Sequence, residues 1–261
     1  MAKLSAVILA KNEEKFIGAC IESVKSFADE IIVVDDFSTD KTFELCEKLG
    51  AKVIRRNLNG DWGAQRNFAI EQANCDWIFF IDADERVTPE LADEIKNILR
   101  EDNKNFAWRC ARLSYFWGKP LKHGGWFPDY VTRLLPKIGT HAEGVVHEKI
   151  CHQCAEKNFA ESKYLVHYPY RDWEHYFSKF NVYTTLAAKK MFESGKSANI
   201  FDIIIHPIWA SFRMYFLRGG FLDGAIGFIL SGFHYFYTMA KYVKLYYYNK
   251  KNLHVTEEQD V

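Results

Sequence analysis

The stretch Ile78-Phe79-Phe80-Ile81-Asp82-Ala83-Asp84-Glu85 sets four large apolar residues directly before two aspartates one residue apart. An apolar run this short, built from Ile and Phe, reads as a strand buried on both faces, the pattern of central strands in parallel sheets. Charge is costly inside such a core, so Asp82 and Asp84 belong where the strand leaves the sheet. In open α/β sheets that carboxyl end is where ligands bind. Two carboxylates there are hard oxygen ligands, suited to Mg²⁺ or Mn²⁺ carried in with a phosphorylated substrate. A solvated strand-end turn explains a lone Asp-x-Asp just as simply, so the neighbouring segments decide.

Upstream, Ala6-Val7-Ile8-Leu9-Ala10 reads as another buried strand, followed by Lys11-Asn12-Glu13-Glu14. Asn12 is of a type that caps helices, and the two glutamates suit a helix's positive end. Phe16, Ile17, Cys20, Ile21 and Val24 then recur at helical spacing. Glu30 to Val34 is a second strand, emptying into Asp35-Asp36-Phe37-Ser38-Thr39-Asp40, where Ser38 or Thr39 is expected to cap a helix from Asp40 to Leu49. Gly50 is placed to end that helix. Ala51 to Ile54 is a third strand, and after the loop Asn57-Leu58-Asn59-Gly60-Asp61 a helix is expected from Trp62 or Gly63, carrying Arg66 and Asn67. Beyond the strand at 76–81, Thr88 as cap and Pro89 at the first helical position open a helix to Arg100. Strand and helix alternate four times, which predicts a parallel sheet with right-handed crossovers. No Gly-x-Gly-x-x-Gly follows any strand, so phosphate must be neutralised another way, such as by metal.

Across 261 residues the chain is long enough for one large domain, or one with an appendage. Lys plus Arg equal Asp plus Glu at 34 each, so no net field favours nucleic acid and no such partner is expected. The first apolar run, Leu4 to Ala10, is too short for a secretory leader and runs into charge. Six scattered cysteines are therefore expected as free thiols in a reducing cytoplasm. Cys151-His152-Gln153-Cys154 lies near His141 and His147 but has no second Cys pair at zinc-finger spacing, so structural thiols are the simpler reading.

Aromatic residues crowd the chain after residue 170. Trp173, Tyr176, Phe177, Phe180, Tyr183, Ala187 and Met191 fall on one helical stripe that Ser194-Gly195-Lys196-Ser197 breaks. Two apolar segments follow, Ile203 to Leu217 and Phe221 to Val243. Gly224 to Ala240 nears the length of a spanning helix but follows Asp223 and contains His234 and several tyrosines. Helices lying in the membrane interface are expected, with Tyr and Trp at the headgroups and Lys241, Lys244, Lys250 and Lys251 toward anionic lipid. The alternative is a helical cap that buries these faces on the catalytic domain or in a homo-oligomer.

Val7-Ile8-Leu9-Ala10-Lys11-Asn12-Glu13-Glu14, Val33-Val34-Asp35-Asp36-Phe37-Ser38-Thr39-Asp40, Gly63-Ala64-Gln65-Arg66-Asn67 and Asp82-Ala83-Asp84 together resemble the ordered signatures of family 2 glycosyltransferases, over about residues 4–150. Phe37 departs from the Gly that most members carry. The resemblance implies an α/β GT-A fold (Rossmann-like, a mostly parallel sheet with flanking helices) over 1–170, while the residue pattern itself gives a helical region over 171–250 and a polar tail over 251–261. It implies transfer of a sugar from a nucleotide diphosphate, usually with inversion. Asp36 would then bind the base or ribose, with Glu13 beside the same pocket. Arg66 would meet the base or diphosphate, and Asp84 with Asp82 would hold Mn²⁺ or Mg²⁺ and the sugar phosphate. From the residues alone, an Asx-turn explains Asp35 as well but Asp36 less readily, and a helix-dipole role for Glu13 and a surface salt bridge for Arg66 are the plain alternatives.

An inverting transfer needs a base, and Gly125-Trp126-Phe127-Pro128-Asp129 followed by Val146-His147-Glu148 is similar to the lipopolysaccharide-core subgroup. Glu148 is the expected base and Asp129 the reserve, with His147 as a third metal ligand or an acceptor contact. The segment Arg218-Gly219-Gly220-Phe221-Leu222-Asp223-Gly224, with Gly227-Phe228, resembles that subgroup too. It implies a hexose, glucose favoured, moved from a UDP-sugar to a lipid-linked inner-core glycan at the inner face of the bacterial inner membrane. A polyprenyl-phosphate or protein acceptor is the alternative within the fold. Outside it stand phosphoryl transfer of the haloacid-dehalogenase type, against which Arg86 occupies the usual hydroxyl position, and a non-catalytic membrane-associated scaffold.

Overall fold

A computed structural model describes residues 2–145 and 148–257, with side chains through Lys250. The chain divides into two compact units, residues 1–114 with 128–168, and residues 115–127 with 169–261. The segment 115–127 thus belongs with the C-terminal helices although it interrupts the first unit in sequence.

In the first unit β1 (Leu4–Ala10), β2 (Glu30–Asp35), β3 (Lys52–Arg55) and β4 (Trp77–Asp82) form a parallel sheet in the order β3-β2-β1-β4. Alternation sorts its side chains onto two buried faces. Phe79 and Ile81 of β4 pack with α1 (Ile17–Val24) and α4 (Pro89–Glu101), whereas Ile78 and Phe80 pack with α3 (Trp62–Gln72). All four are fully buried, which accounts for the continuous apolar run. The remaining helix of this part, α2, spans Thr42–Lys48.

Beyond β4 the sheet becomes mixed. Its other edge takes β8 (Asp129–Pro136) antiparallel, and β8 takes β6 (Phe106–Phe116) antiparallel. Beyond β6 come β12 (Tyr164–His167), parallel to it, and then β5 (Glu85–Val87), antiparallel to β12, which directly follows β4 in the chain. Four shorter strands complete the set of described strands: β7 (Lys119–Pro120), β9 (His141–Glu143) paired with β10 (Lys149–Cys151), and β11 (Ala155–Asn158), which is parallel to β6.

Several expected caps act otherwise. Asn12 caps no helix. Its φ is +54°, and its carboxamide oxygen accepts from the Thr39 amide, tying the first βα loop to the second. At α2 the side chain that accepts from the Thr42 amide is Asp40, not Ser38 or Thr39. Thr88 donates its hydroxyl to the Tyr164 carbonyl, so Pro89 opens α4 without a side-chain cap.

The second unit consists of α5 (Trp173–Glu193), α6 (Ile200–Phe212) and α7 (Ala225–Glu257). Asp172 caps α5, and Asn199 with Asp202 forms a capping box on α6. A π-helical turn, Arg213–Leu217, prolongs α6, and the 3₁₀ turn Gly220–Asp223 leads into α7. That turn lies hard against α7: a Cβ on Gly227 would sit 1.8 Å from the Gly220 carbonyl oxygen, and one on Gly220 would sit 2.8 Å from the Met214 carbonyl oxygen. The spaced glycines of this segment are a packing requirement. Asp223 accepts from the His123 amide and pairs with His123 Nδ1 at 2.7 Å, fastening the 120s loop to this turn.

Candidate active site

The βα loops bring the conspicuous side chains to the carboxyl end of the parallel strands. Asp35 and Asp36 end β2 and divide their labour. Asp35, fully buried, accepts from the Ser38 amide and hydroxyl, so it holds the turn. Asp36 turns away from that Asx-turn. Its Oδ2 meets Lys11 Nζ at 2.6 Å and its Oδ1 accepts from the Leu58 amide. Between them and Ser38, Phe37 stands half exposed at φ +49°, a left-handed conformation that suits Gly better than Phe. Glu13 donates its amide to Thr42 Oγ1, which joins the loop after β1 to the start of α2.

The segment Gly63-Ala64-Gln65-Arg66-Asn67 forms the start of α3, capped by Asp61. Each of its polar residues has a defined partner. Gln65, buried, exchanges two hydrogen bonds with Arg56. Asn67 exchanges two with the backbone of Ala142, and the Trp62 amide donates to the Val145 carbonyl. A Cβ on Gly63 would lie 2.5 Å from the Gly144 carbonyl oxygen, so only Gly lets this loop pass. The helix thereby positions the chain that leads to Glu148.

Arg66 itself reaches the strand end. Its Nε contacts Glu148 Oε1 at 2.7 Å and its Nη2 contacts Asp82 Oδ1 at 3.3 Å. Asp82 Oδ2 is also held by Arg133 Nη2 at 2.5 Å, and Arg133 contacts the buried Glu85 at 2.6 Å. Arg112 contacts Glu85 at 3.6 Å and grips Asp129 through two nitrogens. The result is a continuous row of alternating charge: Asp129, Arg112, Glu85, Arg133, Asp82, Arg66, Glu148. Both expected bases, Glu148 and Asp129, lie at its two ends.

Electrostatics follow from this row. Burial opposes the Asp82 charge, but Arg133 and then Arg66 outweigh it and hold the carboxyl well below the usual range. Burial likewise opposes the Arg133 charge, and Asp82 and Glu85 overcome it, so the guanidinium stays charged. For Glu85 burial prevails with help from Asp82, and its carboxyl is raised in spite of Arg133.

Asp84 lies one residue beyond, in the turn between β4 and β5. His167, the last residue of β12, brings Nε2 to 3.7 Å from Asp84 Oδ2, while Ser114 Oγ holds its Nδ1 at 3.1 Å. A carboxylate and an imidazole whose other nitrogen is fixed make a sound partial donor set for a divalent cation. His147, the expected third ligand, lies outside the described residues.

Sequence reading missed His167, Arg112 and Arg133, which lie on strands outside the four motifs. Glu85 was in plain view after Asp84. Arg86, the residue that stands against haloacid-dehalogenase chemistry, donates to the carbonyls of Ala83, Glu85 and Phe16 and lies between the Phe16 and Tyr168 rings. It is a clamp between α1 and β5. His141, Glu143 and Cys151 bring one ligand atom each within 4.8 Å of one another on the exposed β9–β10 hairpin. All six cysteines are free thiols.

The family model for glycosyl transferase family 2 matches residues 5–155. The lipopolysaccharide core biosynthesis glycosyltransferase LpsC of Rhizobium meliloti (strain 1021) is 34% identical over 252 residues, covering 91% of this chain and 91% of that protein. A Rickettsia felis protein described as an uncharacterized glycosyltransferase is 34% identical over 256 residues, covering 94% of this chain and 90% of its own. Among solved structures, Staphylococcus aureus TarS 1-349 in complex with UDP-GlcNAc has a TM-score of 0.50 at 17% identity, covering 96% of this chain and 92% of that one, a likeness of fold alone. The row of charge at the end of β4 is therefore carried on a GT-A-like α/β fold with C-terminal helices, and the chain belongs to glycosyl transferase family 2 as a glycosyltransferase.

Proposed function

We propose that this glycosyltransferase moves a hexose, with glucose favoured, from a UDP-sugar to a lipid-linked glycan of the lipopolysaccharide inner core, with inversion and with Mn²⁺ or Mg²⁺. The observation that carries the reading is Arg66, shared between Asp82 at the end of β4 and Glu148. A planar guanidinium suits a diphosphate. A diphosphate that reaches Arg66 competes with Glu148 and frees that carboxylate to take the proton of the acceptor hydroxyl. Asp129, gripped by Arg112 on two nitrogens, is the reserve base.

Asp36 would receive the base or ribose, with Lys11 giving way, and Glu13 lies in the loop that opens the same pocket. Asp84, Asp82 and His167 are the residues that would hold the cation, with His147 as a further ligand. A divalent cation there would stabilise the charge that builds on the departing nucleoside diphosphate. The similarity to LpsC supports the acceptor class. Membership of the family sets aside haloacid-dehalogenase chemistry, and retention of Asp36, Arg66, Asp82 and Asp84 counts against a non-catalytic scaffold.

The place of action in this reading is the cytoplasmic face of the inner membrane, held peripherally. Support comes from Ile200–Leu217, which by length and composition would suffice to cross a membrane and of which only 11% is buried. Phe201, Ile204, Ile205, Ile208 and Phe212 recur along one exposed face.

Incubation with UDP-glucose, Mn²⁺ and core-truncated lipopolysaccharide should release UDP. If no nucleotide sugar in a donor panel is bound or turned over, the reading fails. Asp84→Ala should lower turnover at least about 100-fold with unchanged thermal stability. A rate like that of the parent would overturn the metal assignment.

A further inference from the structure

A second concave site lies wholly within the helical unit. It is a cavity of about 510 Å³, walled by α5, α6, α7 and the 120s loop, a size that ordinary small-molecule pockets have (about 300–1,000 Å³). Its lining includes Arg213, Arg218, Lys241, His206 and His234 and contains no carboxylate. Among the described residues, Arg213, Arg218 and Lys241 form no ion pair. One acid approaches from outside the wall, Asp202, 3.3 Å from His206 Nε2. Aromatic rings make up much of the rest, and His206 stacks on Tyr242 at 4.4 Å.

Arg213 and Arg218 are exposed and Lys241 is half-buried; like charges gathered at one mouth without counter-charge repel one another, and an anion between them relieves that repulsion. Burial pushes the Lys241 ammonium down, with Lys196 adding to it. His234 is also lowered, first by burial and then by Lys241 and Arg218. Two guanidiniums and an ammonium converging on one space match a phosphate.

The source of that phosphate is indicated by α6. The helix that supplies His206 and Trp209 to the cavity, and Arg213 through the π-helical turn that prolongs it, carries the exposed apolar face on its outer side. Trp209 belongs to both: it lines the cavity and is 53% exposed. An amphiphile whose tail follows the apolar face would bring its headgroup to the cavity mouth, with Trp209 at the boundary between them.

The geometry points to a headgroup site: the cavity among α5, α6 and α7 binds the phosphate of an anionic lipid, seated by Arg213, Arg218 and Lys241. The lipid source rests on the membrane reading above, whereas the affinity for phosphate does not.

The test is co-sedimentation of the full chain with vesicles of phosphatidylcholine, alone or doped with phosphatidic acid. Phosphatidic acid should raise partition at least about tenfold, and Arg213→Gln with Lys241→Gln should remove that rise while leaving partition into phosphatidylcholine intact. Arg213→Gln alone should remove part of it, and circular dichroism should report an unchanged fold. A charge-matched control on the exposed side of α5, Lys189→Gln with Lys190→Gln, should keep most of the rise. The proposal is overturned if phosphatidic acid has no effect, if the cavity variants keep the full rise, or if the control loses as much as they do. If glycerol 3-phosphate raises Tm in the parent but not in the cavity variant, while vesicles show no preference, the site takes a free phosphate and the lipid source is wrong. If the parent ignores phosphatidylcholine yet keeps an Arg213-dependent response to phosphatidic acid, the apolar-face reading fails and the headgroup site stands.

Discussion

Asp82 owes its ionised state to guanidiniums from two different elements, Arg133 on β8 and Arg66 on α3. A carboxyl depressed in the fold contributes stability that is complete above its unfolded value of about 3.9 and is lost as pH falls through the folded value. The stability gap between the parent and Asp82→Asn should therefore be constant from pH 7 to pH 5 and close as pH falls further. Urea titrations across that range measure it, and a gap that closes between pH 7 and pH 5 would contradict the assignment. Phe37 gives a second residue-scale prediction. At φ +49° a side chain costs about 1 kcal/mol that Gly avoids, partly offset by the entropy of the freer residue. Phe37→Gly should be neutral to stabilising by about 0.5 kcal/mol, and a clear loss of stability would mean that the ring makes contacts worth more than the strain. Legibility at this scale divides by distance in sequence. Asp82 and Asp84 were visible because they follow a buried strand, and Asp36 and Arg66 because they stand in segments that resemble the family's ordered signatures. Arg112, Arg133 and His167 were not, since nothing local distinguishes an Arg or His on a strand until another strand is laid beside it.

At the scale of elements, α3 acts as a positioning device. Its residues contact the site through Arg66 and the loop before Glu148 through Gly63 and Asn67. Gly63→Ala would put a methyl 2.5 Å from the Gly144 carbonyl oxygen, and backbone cannot swing aside as a flexible side chain can. The loop must move, which should cost about 1–3 kcal/mol and lower kcat/KM at least about tenfold, because misplacement of a catalytic group by an ångström is that damaging. Parent-like kinetics in the variant would show that Glu148 is not placed through this contact. Strands β1 to β4 and helix α1 were readable from the apolar pattern and α2 to α4 from the loop and terminus signals around them, with β4 the clearest, because burial on both faces leaves an unmistakable apolar run. The caps were misread for one physical reason. Asn12, Ser38 and Thr88 spend their hydrogen bonds on neighbouring loops and strands, and Asp40 and Asp61 are the side chains that reach the helix amides.

For the whole molecule, the uneven placement of aromatic residues announced a second region, but the membership of residues 115–127 in it depends on tertiary contacts such as His123 with Asp223. The outer surface of that unit is dominated on α6 by a row of exposed apolar side chains. Phe201 is 76% exposed and Ile205 53%, and the exposed Phe212 lies about two turns beyond Ile205 on the same face. Inserting one such side chain into lipid is worth about 1.5–3 kcal/mol. Replacing all three by Ser in the full chain should lower partition into phosphatidylcholine vesicles at least about 100-fold, with UDP release from a detergent-dispersed acceptor unchanged. A second copy of the chain covering the same face makes a different forecast. Sedimentation would then show the parent as a concentration-dependent dimer and the triple variant as a monomer, with vesicle binding absent in both. Equal partition of parent and variant would remove α6 from the membrane account and leave the exposed apolar side chains of α7, Phe228, Phe236, Val243 and Tyr247, as the alternative lipid-facing row.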